Sequence, residues 1–221
     1  INQKRGKMIL VKNLSLKFTK EFYALYDVNL EIKKGEAVAL LGEEHSGKTT
    51  LLRVLCKLEK DFTGEVYIKD IPLKKVDFSL DVNMGYIPAA PVFFEKKTVY
   101  QNLQALLKSR KINKSQREEK INKLLIEYNL EKFRDEKVKN LTLFEKYVLS
   151  IARLSLREIE LVLIDNIFEN LSQEEYEKIC ELIKKQFLQN KVTTVIATTS
   201  PSVAKDLTKR TIKFKLGSIT E

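Results

Sequence analysis

Apolar positions along the chain fall into three regimes. From Ile9 to Asp70 the runs ILVKNLSLKF, LYDVNLEI and EVYIKD alternate or stay apolar over strand lengths, and AVALL predicts a buried strand that runs into a glycine turn. From Thr98 to about Asn140 the pattern turns helical and highly charged: TVYQNLQALLKSR and SQREEKINKLLIEYNL space their apolar residues by three and four, with Ser115 and Glu118 placed as a capping box. From Leu141 onward helix and strand alternate, as LFEKYVLSIARLSL, LVLID, SQEEYEKICELIKKQF, TTVIAT, SVAKDLTK and TIKFKL. Strands alternating with helices predict a mostly parallel sheet covered on both faces, which makes the helical middle section an insertion.

Length and composition narrow the class. With 221 residues, 43% apolar, 32% charged and only 4 Pro and 7 Gly, the chain is a packed globular protein of one large domain rather than a disordered or collagen-like polymer. The apolar runs AVALL and LVLI are of buried-strand length, so no bilayer-spanning helix is expected. Cys56 and Cys180 sit in helix-like apolar stretches, which suits small buried hydrophobes in a reducing compartment and excludes a disulfide framework. His45 is the one histidine, so there is no His pair for a metal.

The net charge of +10 is unevenly spread: residues 1–20 hold six Lys/Arg and no acid, whereas residues 161–180 hold one against five. Such patches point to an anionic neighbour, whether nucleic acid, lipid headgroups or an acidic partner; a lysine-rich solvated surface explains the charge equally well.

The sharpest chemical signal is Gly42-Glu43-Glu44-His45-Ser46-Gly47-Lys48-Thr49, a G-x-x-x-x-G-K-[ST] loop between the apolar run AVALL and the helical TTLLRVLCKL. Glycines let the backbone wrap a phosphate chain, amide groups and the helix start supply partial positive charge, Lys48 supplies a full one, and Thr49 is placed to hold magnesium. The expected nucleotide contacts are therefore Gly42, His45, Ser46, Gly47, Lys48, Thr49 and Thr50. His45 is expected to meet phosphate through its backbone amide, with its side chain toward solvent. Asp165, at the end of LVLID, lies where open parallel sheets place ligands and is the second expected magnesium residue with Thr49; the alternative is a helix cap.

The order of GEEHSGKTTLL, the helical insertion, LTLFEKYVLSIARLSL, LVLIDNIFENLS and TVIATTS resembles the nucleotide-binding subunit of ATP-binding-cassette (ABC) transporters, over Ile9 to about Ile219. The resemblance implies an α/β P-loop NTPase core, a mostly parallel sheet flanked by helices with antiparallel strands at the N-terminal side, and an inserted helical subdomain. It implies one ABC-type domain over residues 1–221, with core in 1–88 and 158–221 and the helical, signature-bearing part in 89–157. It also implies ATP and Mg2+ as ligands, and Phe18 as the aromatic that stacks on adenine, with Phe22 and Tyr23 as substitutes; any of the three is equally read as a core or edge aromatic. Implied partners are transmembrane permease subunits, docked through the surface around Pro88 to Thr98 and the helical insertion, and a second ATP-binding subunit in a homodimer or heterodimer. The implied location is cytoplasmic, peripheral at the inner face of the membrane, where an anionic lipid surface is a further neighbour.

Departures from that pattern carry as much information. Where the family has an L-S-G-G-Q signature that closes on the terminal phosphate across a head-to-tail dimer, this chain reads Leu141-Thr142-Leu143-Phe144-Glu145, with two bulky apolar groups in place of glycines. The family's water-activating Glu after Asp165 is Asn166, its Gln after GYIP is Ala89, and its terminal-phosphate His is Thr199. An amide accepts no proton at neutral pH, so a catalytic set with Asn166 and Thr199 at its degenerate positions binds nucleotide and hydrolyses it weakly or not at all. The second reading is a regulatory or nucleic-acid-associated ATP-binding protein; no nucleic-acid module or basic-aromatic interleaving supports the latter.

Overall fold

The computed structural model describes residues 6–19, 22–109 and 112–220. Lys4, Arg5 and Lys20 of the basic N-terminal stretch, and Arg110 at the end of the first expected helix of the insertion, lie outside the described residues. The chain divides into two compact units, one of residues 1–89, 159–170 and 183–221, the other of residues 90–158 and 171–182.

The first unit is built on two sheets. β1 (Lys7–Lys17), β2 (Tyr23–Lys33), β4 (Phe62–Ile68) and the short β5 (Ile71–Pro72) form an antiparallel sheet in the order β2-β1-β4-β5. The second sheet has six strands, with β3 (Ala37–Leu41), β6 (Met84–Ile87), β7 (Leu161–Asp165), β8 (Thr193–Thr198), β9 (Arg210–Lys215) and β10 (Ser218–Thr220) in the order β10-β9-β3-β8-β7-β6. It is parallel except for the β9–β10 pair, so the expected combination of antiparallel N-terminal strands and a mostly parallel sheet is what forms. β7 and β8 are buried along their whole length, which explains why LVLID and TTVIAT read as continuous rather than alternating runs.

Helix α1 (Lys48–Leu55) joins the sheets: its Leu51, Leu52, Val54 and Leu55 share one core with Leu14, Leu25 and Ile32 of the antiparallel sheet and Val38, Leu40, Leu163 and Val195 of the parallel one. Each of these side chains, fully removed from water, contributes about 1.5–3 kcal/mol. That packing fixes the start of α1 at the carboxyl edge of the parallel sheet.

The second unit holds α2 (Val99–Ser109), α3 (Lys114–Glu127) and α4 (Leu143–Ser155). α3 presents Ile121, Leu124 and Leu125 as its buried stripe. Its start corrects the sequence expectation: the cap is Asn113, whose Oδ1 accepts from the Gln116 amide at 2.9 Å, and Ser115 and Glu118 form no capping box. Asn is as strong a cap as Ser and stands two residues earlier, so the helix begins at Lys114 and Ser115 falls inside the first turn. Glu118 instead lies 3.8 Å from Arg134.

Helix α5 (Gln173–Ile183) runs into a wider turn at Lys184–Leu188 before β8, and α6 (Pro201–Leu207) is capped by Ser200 with proline in its first turn.

Candidate functional site

The loop of residues 42–47 connects β3 to α1. Gly47 caps the helix at φ 104°, and no side chain caps α1, so the amides of its first turn stay available to an anion. A Cβ on Gly47 would stand 2.7 Å from the Ala24 carbonyl oxygen, and one on Gly42 only 2.3 Å from that of Phe214. Glycine is thus required at both ends of the loop by close backbone approach. The turn between β9 and β10 braces it, since the Gly217 amide donates to the Ser46 carbonyl at 3.0 Å. His45 takes a left-handed φ of 58°, a conformation that a side chain disfavours.

Lys48 is buried and curls back over the loop. Its Nζ donates to the carbonyls of Gly42 (2.8 Å) and Glu43 (2.7 Å) and to Ser46 Oγ (2.9 Å). Burial pulls its pKa below the ordinary lysine value, while the charges of Asp165, Glu169 and Glu44 oppose that fall. The ammonium is therefore held at the loop by three oxygens that a polyphosphate can replace.

Thr49 Oγ1 donates to Asp165 Oδ1 at 2.8 Å, and the Tyr86 hydroxyl of β6 donates to Oδ2 at 3.1 Å. Burial raises the Asp165 pKa, partly offset by those two hydrogen bonds and by Lys48 and Arg53. A buried carboxylate beside a hydroxyl is an all-oxygen donor pair that suits a small hard cation keeping most of its water. Thr49 and Asp165 fit the magnesium role on that chemistry.

These groups open on a cavity of about 580 Å³ lined by Phe18, Phe22, His45, Lys48, Asn166 and Thr199, together with other loop residues. Phe18 and Phe22 are both more than half exposed and are linked by a backbone bond from the Phe18 amide to the Phe22 carbonyl. Tyr23 lines an adjacent cavity together with Gly42 to Ser46 and sets its ring edge to face against Tyr26. All three candidate aromatics stand beside the phosphate loop, but only Phe18 and Phe22 line the cavity that Lys48 and Thr49 open on.

At the far wall, Asn166 has a left-handed φ of 50° and donates from Nδ2 to Glu169 Oε1 at 2.6 Å. Thr199 Oγ1 lies 3.4 Å from the same oxygen. Asn166 Oδ1 is buried without a hydrogen-bond partner among the described residues, a condition that costs about 1–3 kcal/mol in a folded protein.

Comparison with known proteins agrees with this geometry. The ABC transporter family model matches residues 25–169. The chain belongs to that family. The cassette is 32% identical over 213 residues to the probable sulfate/thiosulfate import ATP-binding protein CysA of Chlorella vulgaris, covering 96% of this chain and 89% of that protein. It is 28% identical over 221 residues to the methionine import ATP-binding protein MetN 1 of Enterococcus faecalis, covering 97% of this chain but 62% of the relative. Against CysA of Halalkalibacterium halodurans it likewise spans only 60% of the relative's length. Among solved structures, an ATP-binding cassette captured as a dimer in a post-hydrolysis state with ADP and Pi superposes with a TM-score of 0.83 at 28% identity, covering 97% of both chains. The family's ligands are ATP and Mg2+.

In the second unit of the cassette, α4 starts at the LTLFE run and is closed by its own side chains. Thr142 Oγ1 accepts from the Glu145 amide at 3.2 Å while Glu145 Oε2 accepts from the Thr142 amide at 2.8 Å. Leu143 is left 42% exposed at that helix start. Ala89 follows β6 as an exposed residue with no polar side chain.

Sequence reasoning missed Glu169, Tyr86 and the Thr142–Glu145 box. The last had a visible signal, the T-x-x-E spacing. Tyr86 was foreshadowed by strand alternation in MGYI, where Gly85 and Ile87 are buried and Tyr86 faces the other side. Glu169 belongs to no motif: its near partner Asn166 is three residues away but forms no recognised spacing with it, and its other partner Thr199 is thirty residues away.

Proposed function

We propose that this chain is the ATP-binding subunit of an ABC-type membrane transport complex, binding Mg-ATP at the residue 42–50 loop, with hydrolysis weak or absent. The observation that carries it is the contrast between two helix starts. α1 opens on Gly47 with no side-chain cap, beside a buried lysine and a hydroxyl–carboxylate pair, whereas α4 opens on a closed Thr142–Glu145 box. Retained features serve ground-state phosphate binding; the altered ones serve the transition state. Adenine stacks on Phe18 or Phe22, Gly42, His45, Ser46, Gly47 and Thr50 meet the phosphates through the backbone, and Thr49 and Asp165 hold the magnesium.

Asn166 and Thr199 stand where a proton acceptor and a phosphate donor are expected, and neither supplies those functions. On the facing surface, the carboxylate of Glu145 sits at the α4 start and repels an anion that a bare helix terminus would attract. The whole chain acts as one ATP-binding domain.

Permease docking is supported by the segment 92–98, which the second unit holds rigid while leaving apolar groups outward. Asn102 bonds the Phe94 amide and the Phe94 and Thr98 carbonyls, and the Arg153 guanidinium stacks 4.4 Å from the Phe93 ring and donates to the Val92 carbonyl. Val92 and Phe94 remain 70% and 60% exposed. A braced apolar ridge of this kind suits a partner helix. Among the described residues no helix is long and apolar enough to cross a membrane. The proposed attachment, peripheral at the cytoplasmic face, rests on the permease and a second ATP-binding subunit.

Measuring Mg-ATP affinity and steady-state turnover side by side on the purified chain and on Lys48→Ala tests this reading. Expected are measurable affinity, very slow phosphate release, and no affinity in the variant. Brisk multiple turnover, or affinity unchanged by Lys48→Ala, refutes it.

A further inference from the structure

The first unit places a carboxylate, Glu169, directly behind two residues of the cavity wall and close enough for its charge to act on Lys48, and none of the loop motifs announces it. β7 and β8 run in parallel register with Asp165 beside Ala197, so Asn166 and Thr199 leave neighbouring strand ends on the same edge of the sheet. Glu169 folds back between them. Asn166 and Thr199 both line the phosphate cavity and both donate toward the same oxygen, Glu169 Oε1. The Asn166 amide is turned so that its NH2 group meets Glu169, although its own Oδ1 is thereby left buried and without a hydrogen-bond partner among the described residues. An amide flipped the other way would set two acceptors against each other, so it is the Glu169 carboxylate that fixes the Asn166 orientation. With both donors on Oε1, Oε2 is the oxygen left to take a proton.

We propose that Glu169 is the proton acceptor for water attacking the terminal phosphate of ATP bound in this cavity, with Asn166 and Thr199 as its positioning residues. This rests on the reading of the cavity as an ATP site and commits that site to slow hydrolysis rather than none. In the step, the water oxygen bonds to the terminal phosphorus and the bond from that phosphorus to the bridging oxygen breaks. The bridging oxygen leaves with ADP, the water proton passes to Glu169, and Glu169 returns it to solvent as inorganic phosphate departs. A carboxylate does this where the Asn166 amide cannot, because only the former is a base at neutral pH.

The purified full chain is compared with Glu169→Gln and Glu169→Asp. Two quantities are read: single-turnover conversion of radiolabelled Mg-ATP with protein in excess, and calorimetric affinity for Mg-ATP and Mg-ADP. The expected result is slow conversion by the wild type, a rate lower by about tenfold or more in Glu169→Gln, partial retention in Glu169→Asp, and affinities within about threefold throughout. Equal rates in wild type and Glu169→Gln, or no conversion by the wild type, overturn the Glu169 assignment while leaving the binding site standing. Affinity lost together with rate in both variants also overturns it, since that outcome marks Glu169 as a brace for the cavity wall. A wild type that binds neither nucleotide refutes the ATP site itself, an outcome the calorimetry separates from the others.

Discussion

The Thr49 hydroxyl donates to the Asp165 carboxylate at 2.8 Å across 116 residues of sequence, tying the start of α1 to the end of β7. That bond holds together the two oxygen donors of the proposed magnesium site. Burial at the end of β7 raises the Asp165 pKa above the 3.8 of a free aspartate, against the opposing pull of the Thr49 and Tyr86 hydrogen bonds and of two nearby cations. For a carboxyl whose folded-state pKa is raised, the stabilising contribution is complete below the unfolded value and is lost as pH rises through the folded one. At neutral pH the ionised Asp165 therefore destabilises the nucleotide-free protein.

Asp165→Asn is accordingly expected to raise the unfolding temperature of the nucleotide-free chain at pH 7, by about 2–4 °C for each kcal/mol gained, with the gain vanishing in acid below about pH 4. The same variant should lose magnesium-dependent nucleotide affinity, because an amide is a poorer ligand for a hard cation. Thermal melts with and without Mg-ATP read both effects, and a variant that is less stable without nucleotide refutes the account.

Gly47→Ala meets two obstacles at once. The left-handed backbone at φ 104° costs a side chain about 1–2 kcal/mol, and the overlap with the Ala24 carbonyl at 2.7 Å adds about 1–3 kcal/mol. The expected outcome is destabilisation of about 2–5 kcal/mol by denaturant titration, together with loss of nucleotide binding. His45→Gly at the neighbouring position should do neither. Its φ of 58° already suits glycine, and relief of strain offsets the greater freedom of the unfolded chain to within about 1 kcal/mol. Calorimetry on His45→Gly is expected to show nucleotide affinity retained, as a backbone-only contact requires.

Glu160 ties three segments of the first unit. Lys69 Nζ donates to its two carboxylate oxygens at 2.9 and 3.1 Å, Lys34 stands 3.8 Å away, and the Asn83 amide approaches at 3.4 Å. Burial pushes its pKa up, but the Lys69 and Asn83 bonds and the lysine charges outweigh that and leave it lowered. A carboxyl with a depressed folded pKa stabilises above the unfolded value and loses that contribution as pH falls through the folded one. Glu160→Gln is expected to cost about 1 kcal/mol at pH 7, the modest figure due to a partly exposed pair, and to make no difference in acid well below pH 4. Denaturation midpoints at the two pH values check the sign.

What was legible in the sequence was whatever repeats locally or stands in a contiguous motif. The G-x-x-x-x-G-K-T loop, the buried strands AVALL, LVLID and TTVIAT, and Asp165 at its strand end all follow from short-range pattern, and each stands where expected. What was illegible depended on chain segments brought together by the sheet order. Tyr86 reaches Asp165 because β6 pairs with β7, and Thr199 reaches Glu169 because β8 lies on the other side of β7. The start of α3 went to Asn113 rather than Ser115 because two good caps stood two residues apart, a choice that composition alone does not resolve.

The Thr142–Glu145 box makes the start of α4 a self-satisfied terminus, and this bears on whether two copies can close around nucleotide. In the reading above, a facing helix start must offer amides and backbone space to the terminal phosphate; here the hydroxyl and carboxylate of the box take up amide donors, and Leu143 and Phe144 fill the space. Thr142→Ala alone removes a cap and is expected to cost about 1 kcal/mol without creating a phosphate site. Restoring the small and neutral pattern with Leu143→Gly, Phe144→Gly and Glu145→Gln removes the bulk and the negative charge together. Gel filtration with light scattering should then show Mg-ATP-dependent dimers at a lower protein concentration than for the wild type. The comparison is sharpened by combining that triple change with Glu169→Gln, so that bound ATP persists through the measurement. If the restored chain dimerises no better than the wild type in the presence of Mg-ATP, the closed start of α4 is not what limits the facing surface.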